Sequence, residues 1–320
     1  MTEFSTLFSS PWSVRNRELF YADTLLYIIK PSICWRLLEE HVELLGPEGN
    51  TTADSNNTED VIAGLKAVGA LIEGEPEELA TLEAYFQSSW SSRSTAFWSI
   101  PFSNASEITK GIESIQSGHV TLLGCGGIGS NTAMILAGAG VRKLRLIDFD
   151  VVEASNLNRQ LFFKHEDIGR TKIEVLAQEL NARFSHLTID LVQQQAEKET
   201  VEQFVKNTDL MIVTADEPRD LTNAVWSATA SHQCNTIATG YLFEHSKLYY
   251  GRDFSAIPED LAWEKIDGGI MPSYGPTNVE IAAQVAALSI QALAGFIDFP
   301  EKAEGYHWNN LEFPRKPIKI

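Results

Sequence analysis

Gly124-Cys125-Gly126-Gly127-Ile128-Gly129-Ser130 is the stretch on which the reading of this chain turns. Residues 120–123 ahead of it are a short, largely apolar run, the pattern of a buried strand. Residues 131–139 behind it combine apolar side chains with helix formers. The glycines therefore sit at a strand-to-helix turn. Such a turn leaves backbone N–H groups free and aims the positive end of the helix at whatever lies in front of it. With no Cβ in the way, a phosphate can come close. Further out, residues 143–150 read as an apolar strand (Leu144, Leu146, Ile147) ending in Asp148-Phe149-Asp150. Asp148 lies 24 residues past Gly124, close to the roughly 20-residue spacing of a ribose-binding acid in a nucleotide fold. On these two features alone a dinucleotide oxidoreductase is the leading reading. A glycine turn that merely closes a tight connection is the alternative.

Composition narrows the class. The chain has 320 residues, which suggests about two domains. It carries 25 basic and 43 acidic side chains, a net charge of −18. The acidity is spread along the chain, since residues 1–118 hold 7 basic and 17 acidic side chains. Such a surface repels nucleic acid, so no nucleic-acid partner is expected. No stretch approaches the roughly 20 apolar residues a membrane helix needs. Residues 1–10 lack the basic start and long apolar run of a signal peptide. The three cysteines, Cys34, Cys125 and Cys234, make no CxxC pair and no disulfide framework. The expected location is the cytoplasm, with no membrane partner.

In chain order, residues 14–30 read as two short strands, around Leu19-Phe20-Tyr21 and over 25–29, joined at Ala22-Asp23. Pro31-Ser32 is expected to open a helix, with Cys34, Leu37, Leu38, His41, Val42 and Leu45 on one face. Residues 46–60, polar and rich in Gly, Asn and Thr, are expected to be a mobile loop. Helices are expected over 60–68 and 75–87, a strand at Leu71-Ile72, a linker over 88–104 and a helix over 108–116. Beyond residue 118, strands (119–124, 143–148, 187–192, 209–214, 235–239) alternate with helices (129–139, 171–183, 198–206, 218–231). That is a doubly wound α/β pattern with a largely parallel sheet, whose ligands lie at the carboxyl ends of the strands. Residues 241–276 show no clear period and are expected to cross the active face. Residues 278–296 form a long alanine-rich helix, and 305–320 are expected to add an edge strand.

The residues after Asp150 bear on the oxidoreductase reading. They run Glu153-Ala154-Ser155-Asn156-Leu157-Asn158-Arg159-Gln160, then Gly169-Arg170-Thr171-Lys172 at the start of a helix. A dehydrogenase has no need of an Arg and a Lys just past its ribose acid. A triphosphate does: Arg159 can fork onto two phosphate oxygens and Lys172 supplies a point charge. Taken singly, each also reads as a surface cation. A later strand ends at Thr214-Ala215-Asp216. Asp216 is placed to hold Mg²⁺, or to cap a helix ahead of Pro218.

As a set, Gly-x-Gly-Gly-x-Gly, Asp-x-Asp, Asn-Leu-Asn-Arg-Gln, Gly-x-x-Lys and the strand-end Asp resemble the adenylating domain of ThiF, MoeB and the ubiquitin-activating enzymes, over about residues 118–300. The resemblance implies ATP and Mg²⁺, adenylation of a carboxylate and release of pyrophosphate. It displaces the oxidoreductase reading. By position, Gly124, Gly126, Gly127 and Gly129 would cradle the nucleotide and Asp148 would hold the ribose. Asn156, Arg159 and Lys172 would hold the phosphates, and Asp216 the metal. The chain departs from that pattern in having no pair of CxxC motifs, so no zinc is expected, and no cysteine in 241–276 to accept an acyl group.

The amino-terminal part resembles the peptide clamp of the MccB-type enzymes, which modify ribosomally made peptides. Leu123 to Gly129, Thr214-Ala215-Asp216-Glu217-Pro218 and, less specifically, Gly64-Leu65-Lys66 with Leu71-Ile72-Glu73-Gly74 carry that likeness. Missing zinc cysteines within this group point to the pantocin-forming, PaaA-type branch. The organisation implied is a winged-helix-like, peptide-binding clamp over 1–90, a linker with lead-in helix over 91–117, and a Rossmann-like adenylating domain over 118–320. The implied partner is a ribosomal precursor peptide, and the implied outcome is dehydration or cyclisation in natural-product maturation. Phosphoramidate formation and activation of a ubiquitin-like sulfur carrier are the alternatives. In the family an arginine of the partner subunit reaches the triphosphate. Arg93 is its candidate here, beside the reading of an ordinary linker arginine, and would make the active enzyme a homodimer.

Overall fold

The computed structural model describes residues 3–319 except 216–220, 256 and 258–269. The chain divides into two units, Met1–Glu113 and Ser114–Ile320. In the first, β1 (Trp12–Arg15), β2 (Glu18–Tyr21) and β3 (Thr24–Ile29) form an antiparallel meander. Ala22 and Asp23 join β2 to β3 at φ of 46° and 64°, a two-residue turn whose twist matches that of the strands. β4 (Cys34–Leu38), β5 (His41–Gly46) and β6 (Gly49–Asp54) form a second antiparallel sheet. α1 (Thr58–Ala67) follows, capped by the Asn57 side chain, which accepts hydrogen bonds from the N–H groups of Glu59 and Asp60. β7 (Leu71–Glu73) returns to β3, so the first sheet runs β1-β2-β3-β7. α2 (Pro76–Gln87) opens on a Glu75–Glu78 capping box with Pro76 in its first turn. α3 (Ser92–Trp98) and α4 (Ala105–Ser117) complete the series.

Successive residues of β3 point to opposite faces of their sheet and divide two cores. Ile29 packs with Leu19, Val42, Leu44 and Leu65, whereas Ile28 packs with Ile72, Leu79, Leu82 and Ile108.

Three expectations are corrected here. Residues 34–45 are not one face of a helix but the β4–β5 hairpin, which reverses at Glu39-Glu40 with Glu39 at φ 51°. Val42 and Leu44 are fully buried while Leu45 is exposed, so the period that burial follows is two. Residues 46–60 are not a loop throughout, because 49–54 pair along β5 as β6. The stretch 88–104 contains α3.

The second unit begins with β8 (His119–Leu123), α5 (Gly127–Ala139), β9 (Lys143–Ile147), α6 (Lys172–Arg183) and β10 (Thr188–Val192). α7 (Lys198–Val205), β11 (Leu210–Val213), α8 (Leu221–His232) and β12 (Asn235–Leu242) follow. β13 (His245–Gly251), α9 (Gly275–Leu293), β14 (Glu304–Asn309) and β15 (Ile318–Lys319) close it. The eight-stranded sheet runs β10-β9-β8-β11-β12-β13-β14-β15. β10 through β12 are parallel and the last three strands are antiparallel. The chain moves outward from β8 to β10, then crosses back to β11. The carboxyl ends of β8 and β11 thus flank the topological switch point, where ligands bind in open α/β sheets.

Leu123, Ile147, Met211 and Val213 of the sheet pack with Val201 and Phe204 of α7 and Val225 of α8. The expected crossing segment 241–276 is in part regular: it contains the end of β12, all of β13 and the start of α9, while 258–269 lie outside the described residues. Among the described residues no helix is long and apolar enough to cross a membrane.

Candidate active site

The glycine turn is shaped first by its own protein neighbours. Gly124 has φ +95°, and a β-carbon there would lie 2.7 Å from the backbone nitrogen of Ala215 after β11. A β-carbon on Gly129 would lie 1.9 Å from the Gly124 carbonyl oxygen, and one on Gly127 2.1 Å from Nδ2 of Asn278 on α9. At Gly126 the nearest atom would be Nε2 of Gln160 at 3.6 Å. Three of the glycines thus answer to close packing of β8, α5, α9 and the end of β11. Gly126 is the one with room in front of it for a ligand. Thr214 ties the turn further, its hydroxyl donating to the Gly124 carbonyl at 2.9 Å. The first-turn N–H groups of α5 have no intrahelical acceptor and make an anion site where the turn opens.

From this turn a chain of hydrogen bonds leads to the cations. The N–H of Cys125 donates to Oδ2 of Asp148 at 2.6 Å, and the N–H of Asp150 to Oδ1 of Asp148 at 2.8 Å. The Lys172 N–H donates to the Asp150 carbonyl at 3.0 Å, and the Lys172 ammonium to Asp150 Oδ2 at 2.6 Å. Burial pushes the Asp148 carboxyl above its ordinary value, against the pull of the two N–H donors and Lys172. The same burial pushes the fully buried Cys125 thiol well up, which leaves it a poor nucleophile.

Between β9 and α6 the chain folds through a tight turn. The side-chain oxygen of Asn156 accepts the Glu153 N–H at 3.1 Å, and its carbonyl accepts the N–H groups of Arg159 and Gln160 at 3.0 and 2.9 Å. The turn sets Arg159 and Gln160 beside Lys172, which α6 presents as its first residue. The Arg159 guanidinium donates to the Ser155 carbonyl and to Asn158 Oδ1, and makes no ion pair among the described residues. Asn156, Arg159 and Lys172 line one cavity of about 240 Å³ together with Asp150, Val151, Glu153 and Gln160.

Of the site residues expected from the sequence, these three share the cavity. Asp148 sits one hydrogen bond from the glycine turn. Arg93 is exposed on α3 of the first unit, and Asp216 lies outside the described residues. Asp150, Gln160 and Asn278 carry no expected role. Gln160 directly follows Arg159 and could have been found from that adjacency. Asn278 is brought in by the fold alone, its amide donating to the Arg159 carbonyl at 3.4 Å. Among the described residues the Gln160 side-chain oxygen is buried without a partner. With the Glu153 carboxylate it gives the cavity oxygen donors of the kind Mg²⁺ takes, while the Asp150 carboxylate is held by Lys172.

A doubly wound sheet, a glycine turn at its switch point and a pocket whose arginine makes no ion pair among the described residues are the features of a nucleotide-binding α/β domain. The model of the ThiF family matches residues 105–314, and the chain belongs to that family. It is 36% identical over 106 residues to the sulfur carrier protein ThiS adenylyltransferase of Escherichia coli strain K12, over 33% of this chain and 42% of that protein. It is 34% identical over 104 residues to the adenylyltransferase and sulfurtransferase uba4 of Aspergillus niger, over 32% of this chain and 22% of that one. The chain thus matches less than half the length of each of these curated relatives. Among solved structures, E. coli MccB with ATP matches with a TM-score of 0.70 at 18% identity, over 92% of this chain and 97% of that one. PaaA matches with a TM-score of 0.66 at 17% identity, over 91% and 99%. These last two are likenesses of fold.

Proposed function

We propose that this protein uses ATP to adenylate a carboxylate of a ribosomally made precursor peptide, releasing pyrophosphate, in the maturation of a peptide natural product. One observation carries the reading: Asn156, Arg159 and Lys172 meet in one cavity at the carboxyl end of the sheet. Arg159, with no carboxylate partner among the described residues, is free to fork onto phosphate oxygens. The Asp148 carboxylate takes the ribose hydroxyls beside the glycine turn, and the α5 N-terminus faces the phosphates. Asp216, which follows β11 in the chain, is assigned to Mg²⁺. The metal would neutralise charge on the phosphates as the α-phosphorus is attacked. Positioning and electrostatics carry the step, since the thiol in the turn is buried and protonated. An internal nucleophile of the peptide then attacks the acyl carbon of the adenylate and loses its proton while AMP leaves with the acyl oxygen, giving a dehydrated or cyclised product.

The likeness of fold to MccB, which has been crystallised with ATP and with MccA, supports the peptide as partner. A homodimer in which Arg93 reaches the partner's triphosphate is part of the same reading. Activation of a ubiquitin-like sulfur carrier is the second reading, favoured by the 36% identity to the ThiS adenylyltransferase. ATP–pyrophosphate exchange separates the two. Exchange driven by a short precursor peptide is expected, and exchange driven only by a carrier protein would replace the first reading with the second. Arg159→Ala should lower exchange about 100-fold while keeping the melting temperature, a loss of about 3 kcal/mol of transition-state stabilisation. Full exchange by that variant would remove Arg159 from the phosphate site.

A further inference from the structure

We propose that Asp150 is the resident counter-ion of Lys172. It holds the ammonium in the cavity while no phosphate is there, yields it to the triphosphate, and takes it back as pyrophosphate leaves. The inference rests on the adenylation reading and deepens it.

The two partners are unequally buried. The Lys172 side chain is 8% exposed and that of Asp150 47%, with 2.6 Å between Nζ and Oδ2. The lysine is fixed in the wall at the head of α6, whereas the aspartate stands in the opening. Among the described residues Lys172 makes no other ion pair. Glu153 lines the same cavity, but its carboxylate accepts from the Ser155 hydroxyl at 3.1 Å. Leaving a buried ammonium unpaired is strongly unfavourable, so the lysine needs an anion at every stage of a turnover. A phosphate oxygen can replace the carboxylate because the Asp150 backbone is anchored separately. Its N–H donates to Asp148 and its carbonyl accepts from Lys172. The side chain can therefore leave while the chain that connects the glycine turn to α6 stays in place.

This arrangement fixes the sign of a substitution. A carboxylate that only braced the site would, when removed, weaken phosphate binding. A carboxylate that competes with phosphate for the same ammonium would, when removed, strengthen it and slow product release. The experiment measures calorimetric binding of inorganic pyrophosphate to wild type, Asp150→Asn, Lys172→Met and the double variant, with steady-state kinetics alongside. Asp150→Asn should bind pyrophosphate about five- to tenfold tighter, with kcat and the KM for ATP falling together. In the Lys172→Met background the same change should have no effect on binding. Weaker or unchanged binding by folded Asp150→Asn overturns the proposal. Equal tightening in both backgrounds also overturns it, since that is general repulsion and not competition for Lys172. Asp150→Ser, which keeps the backbone contacts, carries the same expectation if Asp150→Asn does not fold. Wild type that binds neither ATP nor pyrophosphate overturns the adenylation reading as well. Normal wild-type binding with an unaltered Asp150→Asn overturns this inference alone.

Discussion

Gly126 and Gly129 look alike in a motif and differ in what surrounds them. A β-carbon on Gly129 would lie 1.9 Å from the Gly124 carbonyl oxygen, a backbone atom that cannot swing aside, so Gly129→Ala should destabilise the fold by about 3 kcal/mol or more. Gly126→Ala meets only the Gln160 amide at 3.6 Å. It should cost under about 1 kcal/mol of stability yet weaken ATP binding about tenfold. Urea unfolding and calorimetry on the two variants check both halves of the contrast. Cys234 supplies a pH test. Burial raises its thiol from 9.0 to about 11, so between those values the unfolded chain loses its proton first. Stability should then fall by about 2 kcal/mol as the pH rises from 9 to 11. Unfolding series at several pH values should show Cys234→Ala losing that part of the slope.

At the scale of elements, the β4–β5 hairpin shows where local pattern and long-range pairing part company. Cys34, Leu37, Leu38, His41, Val42 and Leu45 do recur at helical spacing. The chain instead pairs 34–38 with 41–45 and then 41–46 with 49–54, burying Val42 and Leu44 against Leu19, Ile29 and Leu65. The apolar side chains Cys34, Trp35, Leu37, Leu38, Val42, Leu44 and Leu45 contain both periods, and partners far along the chain settle the choice. Leu44→Ala should therefore cost about 2–5 kcal/mol, and Leu45→Ala, at a side chain 54% exposed, under about 0.5 kcal/mol. Thermal unfolding distinguishes them, and a helical segment would give a larger loss at Leu45. The α/β part is different in kind. β8, β11 and their parallel neighbours are short runs closed by turn residues and fall within a few residues of their expected places, whereas β13 lies in a stretch read as having no clear period.

For the molecule as a whole, the proposed dimer makes a prediction through Arg93. If Arg93 serves the partner's triphosphate, mixing inactive Arg93→Ala with inactive Lys172→Ala should regain activity through hybrid dimers that keep one intact site. In an equimolar mixture about a quarter of wild-type turnover is the upper expectation, since half the dimers are hybrids and each has one complete site. Recovery no greater than either parent would return Arg93 to the surface of α3.

The doubly wound order, the glycine turn and the cations that follow it were legible along the chain, because each depends on residues within about one βαβ unit of each other. That range covers Asn156, Arg159 and Lys172, which also lie near one another in sequence. Asp150's hold on Lys172, the fit of Asn278 against Gly127, and the hairpin at 34–46 came from folding. Each depends on side chains or strands meeting across the chain or on which partner wins a burial contest. Spacing alone carries no record of such contests, since their outcome is set by packing in three dimensions.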